Sequence, residues 1–147
     1  MKLTLEPPAG DEPEVVIRGD PADPRVHRLM AAFSRASGTG RLFLYQEGKA
    51  FLYDLEDVDY FEAGEGRVLA HAGAETLEAR ERLYELAGMA PGFLQISKGV
   101  LVNVARVRSV EAEFSGNYVC SLRDGKTRLT LSRKYVKAFK QYVMEAR

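Results

Sequence analysis

The stretch Phe93-Leu-Gln-Ile-Ser-Lys-Gly-Val-Leu-Val-Asn-Val-Ala-Arg-Val107 decides how this chain reads, and a second pattern from Leu131 to Lys140 echoes it. Charge changes sign at the same place. From Leu94 to the C-terminus there are 11 Lys/Arg against 4 Asp/Glu, a balance of +7. Up to Phe93 there are 10 against 17, a balance of −7, so the neutral total hides a basic half joined to an acidic one. An asymmetry of this kind suits a polyanion partner.

Working outward, the chain has 147 residues, 46% apolar and 29% charged, as expected of a globular protein with one core. No apolar run approaches the ~20 residues that span a bilayer, and Met1-Lys-Leu-Thr-Leu-Glu-Pro-Pro lacks the apolar core of a signal peptide. The single cysteine, Cys120, excludes an internal disulfide framework and fits a reducing compartment, so a cytoplasmic location is expected.

Residues 1–12 are rich in Pro and acid, and Glu14-Val-Val-Ile-Arg18 reads as a short strand. Asp23 suits a helix N-cap with Pro24 at the first helical position, and Val26, Leu29, Met30 and Phe33 follow at helical spacing. Ser37-Gly-Thr-Gly40 is a linker, which places a boundary between residues 1–40 and 41–147. Beyond it the pattern alternates. Leu42–Gln46 and Lys49–Tyr53 flank Glu47-Gly48, and Tyr60–Ala63 and Arg67–His71 flank Gly64-Glu-Gly66, giving two hairpins that Glu75–Ala79 extends.

Arg80–Ala87 reads as a short helix ended by Gly88 and Pro91. Strands are expected at Phe93–Ile96, Val110–Phe114, Tyr118–Leu122 and Thr127–Leu131, with turns at Gly116-Asn117 and Asp124-Gly125. Ser132 is a helix N-cap before the apolar stripe Tyr135, Val136, Phe139, Tyr142 and Val143. The fold class is therefore mainly β, α+β overall: an antiparallel sheet domain with short peripheral helices and an N-terminal strand–helix extension.

Enzyme chemistry finds no support in the residues. His27, His71 and Cys120 cannot close a zinc site, and no glycine-rich loop is built to cradle phosphates. Asp54, Glu56, Asp57 and Asp59 read as a solvated acidic loop, and Cys120 as a structural thiol. No catalytic residue, metal, cofactor or small-molecule substrate is expected. The basic half instead interleaves cations with apolar residues. Arg133 and Lys134 stand out because they occupy a first helical turn, where the dipole disfavours positive charge by about 0.3–1 kcal/mol each. An anionic ligand reverses that preference.

Phe93–Val107, with Leu131-Ser-Arg-Lys-Tyr-Val-Lys137, resembles the LytTR family of bacterial DNA-binding domains. Leu55-Glu-Asp-Val-Asp-Tyr-Phe-Glu-Ala63, Arg82-Leu-Tyr-Glu-Leu86 and the Asp124-Gly125 turn extend the likeness over residues 41–147. The resemblance implies an elongated, mostly antiparallel β domain that binds promoter DNA through loops and a helix start. By position it implies DNA contacts at Gly66 and Arg67, at Ser97 and Lys98, and at Arg133, with Lys134 and Lys137 on phosphates; Asn103 is read as a turn or capping residue. The first 40 residues are too few for a phosphoacceptor receiver domain, which needs roughly 100. The likeness is therefore to the small stand-alone, response-regulator-like members of the family. That resemblance further implies a transcription regulator, a possible homodimer and a possible co-encoded membrane regulatory protein. A protein-interaction module with a basic face for an acidic partner is the alternative.

Overall fold

The computed structural model describes residues 1–11, 13–20, 22–37 and 40–145. Regular structure begins at α1 (Pro24–Ser37), where Asp23 takes the cap position: its Oδ1 accepts the Arg25 N–H at 2.9 Å and its carbonyl the His27 N–H at 3.1 Å. Five strands follow, β1 (Arg41–Gln46), β2 (Lys49–Asp54), β3 (Tyr60–Gly64), β4 (Arg67–Ala72) and β5 (Glu75–Ala79), as a β1–β2 hairpin and a β3–β4–β5 meander joined where β5 pairs with β1. After α2 (Leu83–Met89) come β6 (Phe93–Ser97), β7 (Val100–Asn103), β8 (Val107–Ala112), β9 (Tyr118–Leu122), β10 (Arg128–Leu131) and α3 (Arg133–Glu145). The mainly antiparallel β architecture matches the expectation.

Two sheets result. The larger has seven strands in the order β2-β1-β5-β4-β3-β7-β6, and the smaller three in the order β10-β9-β8. Every pairing is antiparallel. The β1–β2 and β3–β4 hairpins close with two residues of positive φ, Glu47 (50°) with Gly48 (76°) and Glu65 (53°) with Gly66 (75°). That backbone matches the right-handed twist of the flanking strands, and glycine adopts its second position without steric cost.

Each sheet faces its own core, and the β6–β7 hairpin belongs to both. Phe93 and Leu101 join Leu42, Leu44, Phe61, Leu77 and Leu86 in the first. Ile96 and Val102 join Cys120, Leu122, Leu131 and Phe139 in the second. Adjacent strand residues point to opposite faces, so one hairpin walls two cores.

Several expectations need correction. No strand forms at Glu14–Arg18; the segment is irregular, with Val15 and Val16 exposed, because no sheet edge lies alongside to pair its backbone. The helix expected from Arg80 starts at Leu83, where Glu85 Oε1 accepts the Arg82 N–H at 3.0 Å. It passes through Gly88, leaving Ala87 exposed and Ala90 buried. β8 lies at Val107–Ala112, so Phe114 is not in a strand. Part of the linker expected at 37–40 falls on residues 38 and 39, outside the described residues.

Asn103 ends β7 and is structural, as read from the sequence. Its Nδ2 donates to the Val58 carbonyl at 2.9 Å and the Glu56 carbonyl at 3.3 Å, while its Oδ1 accepts the Ala105 N–H at 3.1 Å. The side chain is buried and stitches the 55–58 loop to the hairpin. Asn103→Ala leaves those buried groups without partners and is expected to cost about 1–3 kcal/mol in urea denaturation, with the denaturant slope unchanged.

Candidate nucleic-acid interface

The candidate residues come together at one end of the β6–β7 hairpin. β3 runs antiparallel to β7, pairing Glu62 with Val100, and the Ala63 N–H donates to the Gly99 carbonyl at 2.7 Å. The β3–β4 turn, with Gly66 and Arg67, therefore emerges beside the β6–β7 turn, with Ser97 and Lys98. A Cβ on Gly99 would come within 3.0 Å of the Ala63 carbonyl oxygen, so the approach of the two turns is fitted to glycine.

The start of α3 is tied to the same place by a bulge. Gln95 pairs with Leu101 and Ser97 with Val100, leaving Ile96 without a partner across the ladder. Its carbonyl instead accepts the Ser132 N–H at 2.8 Å. Arg133 and Lys134 thus begin α3 next to Ser97, and Lys137 follows one turn along. All the candidates are exposed except Ser97, which is half-buried.

Some basic residues are held by partners. Arg106 is held in an acidic neighbourhood, 3.8 Å from Asp57 and 3.6 Å from Asp59, and donates to the Glu56 carbonyl at 2.8 Å. Arg41 pairs with Asp54 at 3.0 Å, and Arg123 Nε donates to the Ala105 carbonyl at 3.0 Å. Among the described residues, no ion pair engages Arg67, Lys98, Arg133, Lys134 or Lys137. Positive charge left unpaired at one end of a fold is what a phosphate backbone requires.

Two features of the β8–β9 turn escaped the sequence reading, which took Gly116-Asn117 only as a turn. Asn117 Oδ1 accepts the Arg133 N–H at 3.2 Å, satisfying a first-turn donor of α3. Gly116, at φ 90°, lies so close to the Arg133 side chain that a Cβ there would meet Cδ at 2.8 Å. Distance along the chain hides both contacts.

Among the described residues, no group of His, Cys, Asp or Glu is arranged to hold a metal ion, and no helix is long and apolar enough to cross a membrane. A cleft of about 430 Å³ at the opposite end of the β6–β7 hairpin is lined by Asp54 and Glu56 with apolar and backbone neighbours. Among the described residues that line it, the ionisable side chains are acidic, so they repel phosphate. His27 contacts the Tyr45 hydroxyl at 3.1 Å and Glu81 at 3.4 Å, which docks α1 on β1 and the end of β5. Burial, reinforced by Arg80 nearby, holds its imidazole below the ordinary pKa range.

Two turns and a helix start thus gather, on antiparallel sheets, cations that no ion pair engages among the described residues. The chain belongs to the LytTR family: the model of the LytTr DNA-binding domain matches residues 48–144. A solved structure similar to it is the LytTr DNA-binding domain of a protein from Bacillus cereus described as a methyl-accepting/DNA response regulator. That likeness has a TM-score of 0.65 at 18% identity, over 70% of this chain and 95% of the other. No significant match was found among curated proteins.

Cys120 is fully buried, and burial pushes its thiol up to about 11. The raised value means the folded state holds the thiol proton more tightly, so this group's contribution is intact below its unfolded pKa of ~8.5 and is lost as pH rises through about 11. A colorimetric thiol reagent at pH 8 is therefore expected to label Cys120 only at the rate of unfolding, and stoichiometrically in denaturant.

Proposed function

We propose that this chain is a transcription regulator that binds double-stranded DNA in a sequence-specific way, through two sheet turns and the start of α3. The observation that carries the reading is the convergence of Arg67, Lys98, Arg133, Lys134 and Lys137, none ion-paired among the described residues, at one end of the hairpin. Family membership supports it independently. Arg133 is the base reader in this account: a guanidinium can satisfy two acceptors on a guanine edge at once. Lys134 and Lys137 sit on phosphates, Ser97 and Lys98 meet the duplex through the β6–β7 turn, and Gly66 lets the backbone approach closely beside Arg67.

Residues 1–40 are an extension of the DNA-binding domain at 41–147. Met30 is buried while Leu29 and Phe33 keep 37% and 45% of their surface exposed, leaving apolar area on α1 for a second copy.

Three outcomes test this reading. Binding to a duplex recovered by selection from a random-sequence pool is expected to weaken linearly on a log–log salt plot, with a slope of about −0.9 per phosphate contact. A flat salt response, with tight binding to an acidic protein instead, favours an interaction module. Arg133→Ala is expected to cost about 1–3 kcal/mol on the selected duplex and to relax the preference at one base position, while Lys137→Ala weakens all duplexes alike. In sedimentation velocity the wild type is expected at dimer mass and the double variant Leu29→Glu/Phe33→Glu at monomer mass; a monomeric wild type removes the homodimer.

A further inference from the structure

Phe114 is the most exposed large apolar side chain among the described residues, at 112% of its reference surface. It sits at the tip of the β8–β9 hairpin, touching no core. A fully hydrated phenyl ring contributes nothing to folding, so the ring is free to make a contact outside the chain.

The tip's position says which contact. Ala112 pairs with Tyr118, and Tyr118 with Leu131, so the turn from Glu113 to Asn117 emerges beside the last residue of β10 and the first of α3. Asn117 Oδ1 and Gly116 hold the Arg133 backbone and side chain there. The turn is itself well built: the Gly116 N–H donates to the Glu113 carbonyl at 3.1 Å and the Glu113 N–H to the Asn117 carbonyl at 2.9 Å. It continues the row formed by the β3–β4 turn, the β6–β7 turn and the start of α3.

We infer that the β8–β9 turn is a fourth element of the DNA interface: Phe114 packs its ring on the sugars and base edges, and Gly116 and Asn117 are positioning residues for Arg133. This rests on the DNA-binding reading above. Exposed Glu111 and Glu113 on the same hairpin arm repel phosphate, so the attachment here is apolar rather than ionic. Packing an apolar ring against a duplex needs no positive charge beside it. An inserted apolar side chain of this kind also favours a bent duplex.

The test uses the full chain and a duplex selected by the wild type. Phe114→Ala is expected to weaken binding about tenfold with an unchanged salt slope, since it removes a ring and no charge. Its melting temperature should stay at the wild-type value, because the ring packs on nothing. The chain has no tryptophan, so Phe114→Trp introduces a single reporter whose emission should quench on adding the duplex. Asn117→Ala is expected to lower the discrimination at the base read by Arg133 by a few-fold, a ratio that a uniform loss of folded protein would not move. Wild-type affinity in Phe114→Ala, or unquenched Trp emission in a bound complex, overturns the inference while leaving the DNA-binding reading intact. Failure of the wild type to select any duplex removes that reading instead.

Discussion

The structure depends on one hairpin being buried on both faces. β6 and β7 send Phe93 and Leu101 into one core and Ile96 and Val102 into the other, so neither core closes without them. Truncating a fully buried aliphatic side chain such as Ile96 costs about 2–5 kcal/mol, a large part of the ~5–15 kcal/mol that stabilises a domain. The same residue carries the bulge that frees a carbonyl for Ser132, and so sets where α3 begins. Packing of the two cores and placement of the basic end are thus one constraint.

That linkage explains why the cations can stay unpaired. Like charges gathered at a helix start and two turns repel one another and, at Arg133 and Lys134, oppose the helix dipole by about 0.3–1 kcal/mol each. Two walled cores supply the margin to hold them. Some carboxylates of the acidic half are paired instead: Asp54 takes Arg41, and Asp57 and Asp59 take Arg106, while Asp59 also accepts the Gly73 N–H at 2.9 Å. The charge step in the sequence thus separates a net acidic half from the basic residues that begin α3.

The first five strands were legible because their residues alternate and their turns carry glycine. β7 was not, since Val100, Leu101 and Val102 form an unbroken apolar run: a strand buried on both faces loses the alternation that marks it. Glu14–Arg18 failed the other way, having the residues of a strand but no neighbouring edge. Of the site, Arg133, Lys98 and Arg67 were visible as cations near turns. Arg106 looked equivalent until its partners, some fifty residues upstream, were brought beside it. Phe114 read as the end of a strand because an aromatic after alternating residues has that pattern; only pairing geometry shows that the ladder stops at Ala112.

Amide chemical-shift mapping tests the central claim most directly. On titrating a selected duplex into the isotopically labelled full chain, the largest shifts should fall on residues 64–67, 97–99, 114–117 and 132–137, forming one contiguous end. The Asp54–Glu56 cleft should stay silent. Shifts centred on that cleft or on α2, with the basic end unmoved, would contradict the account.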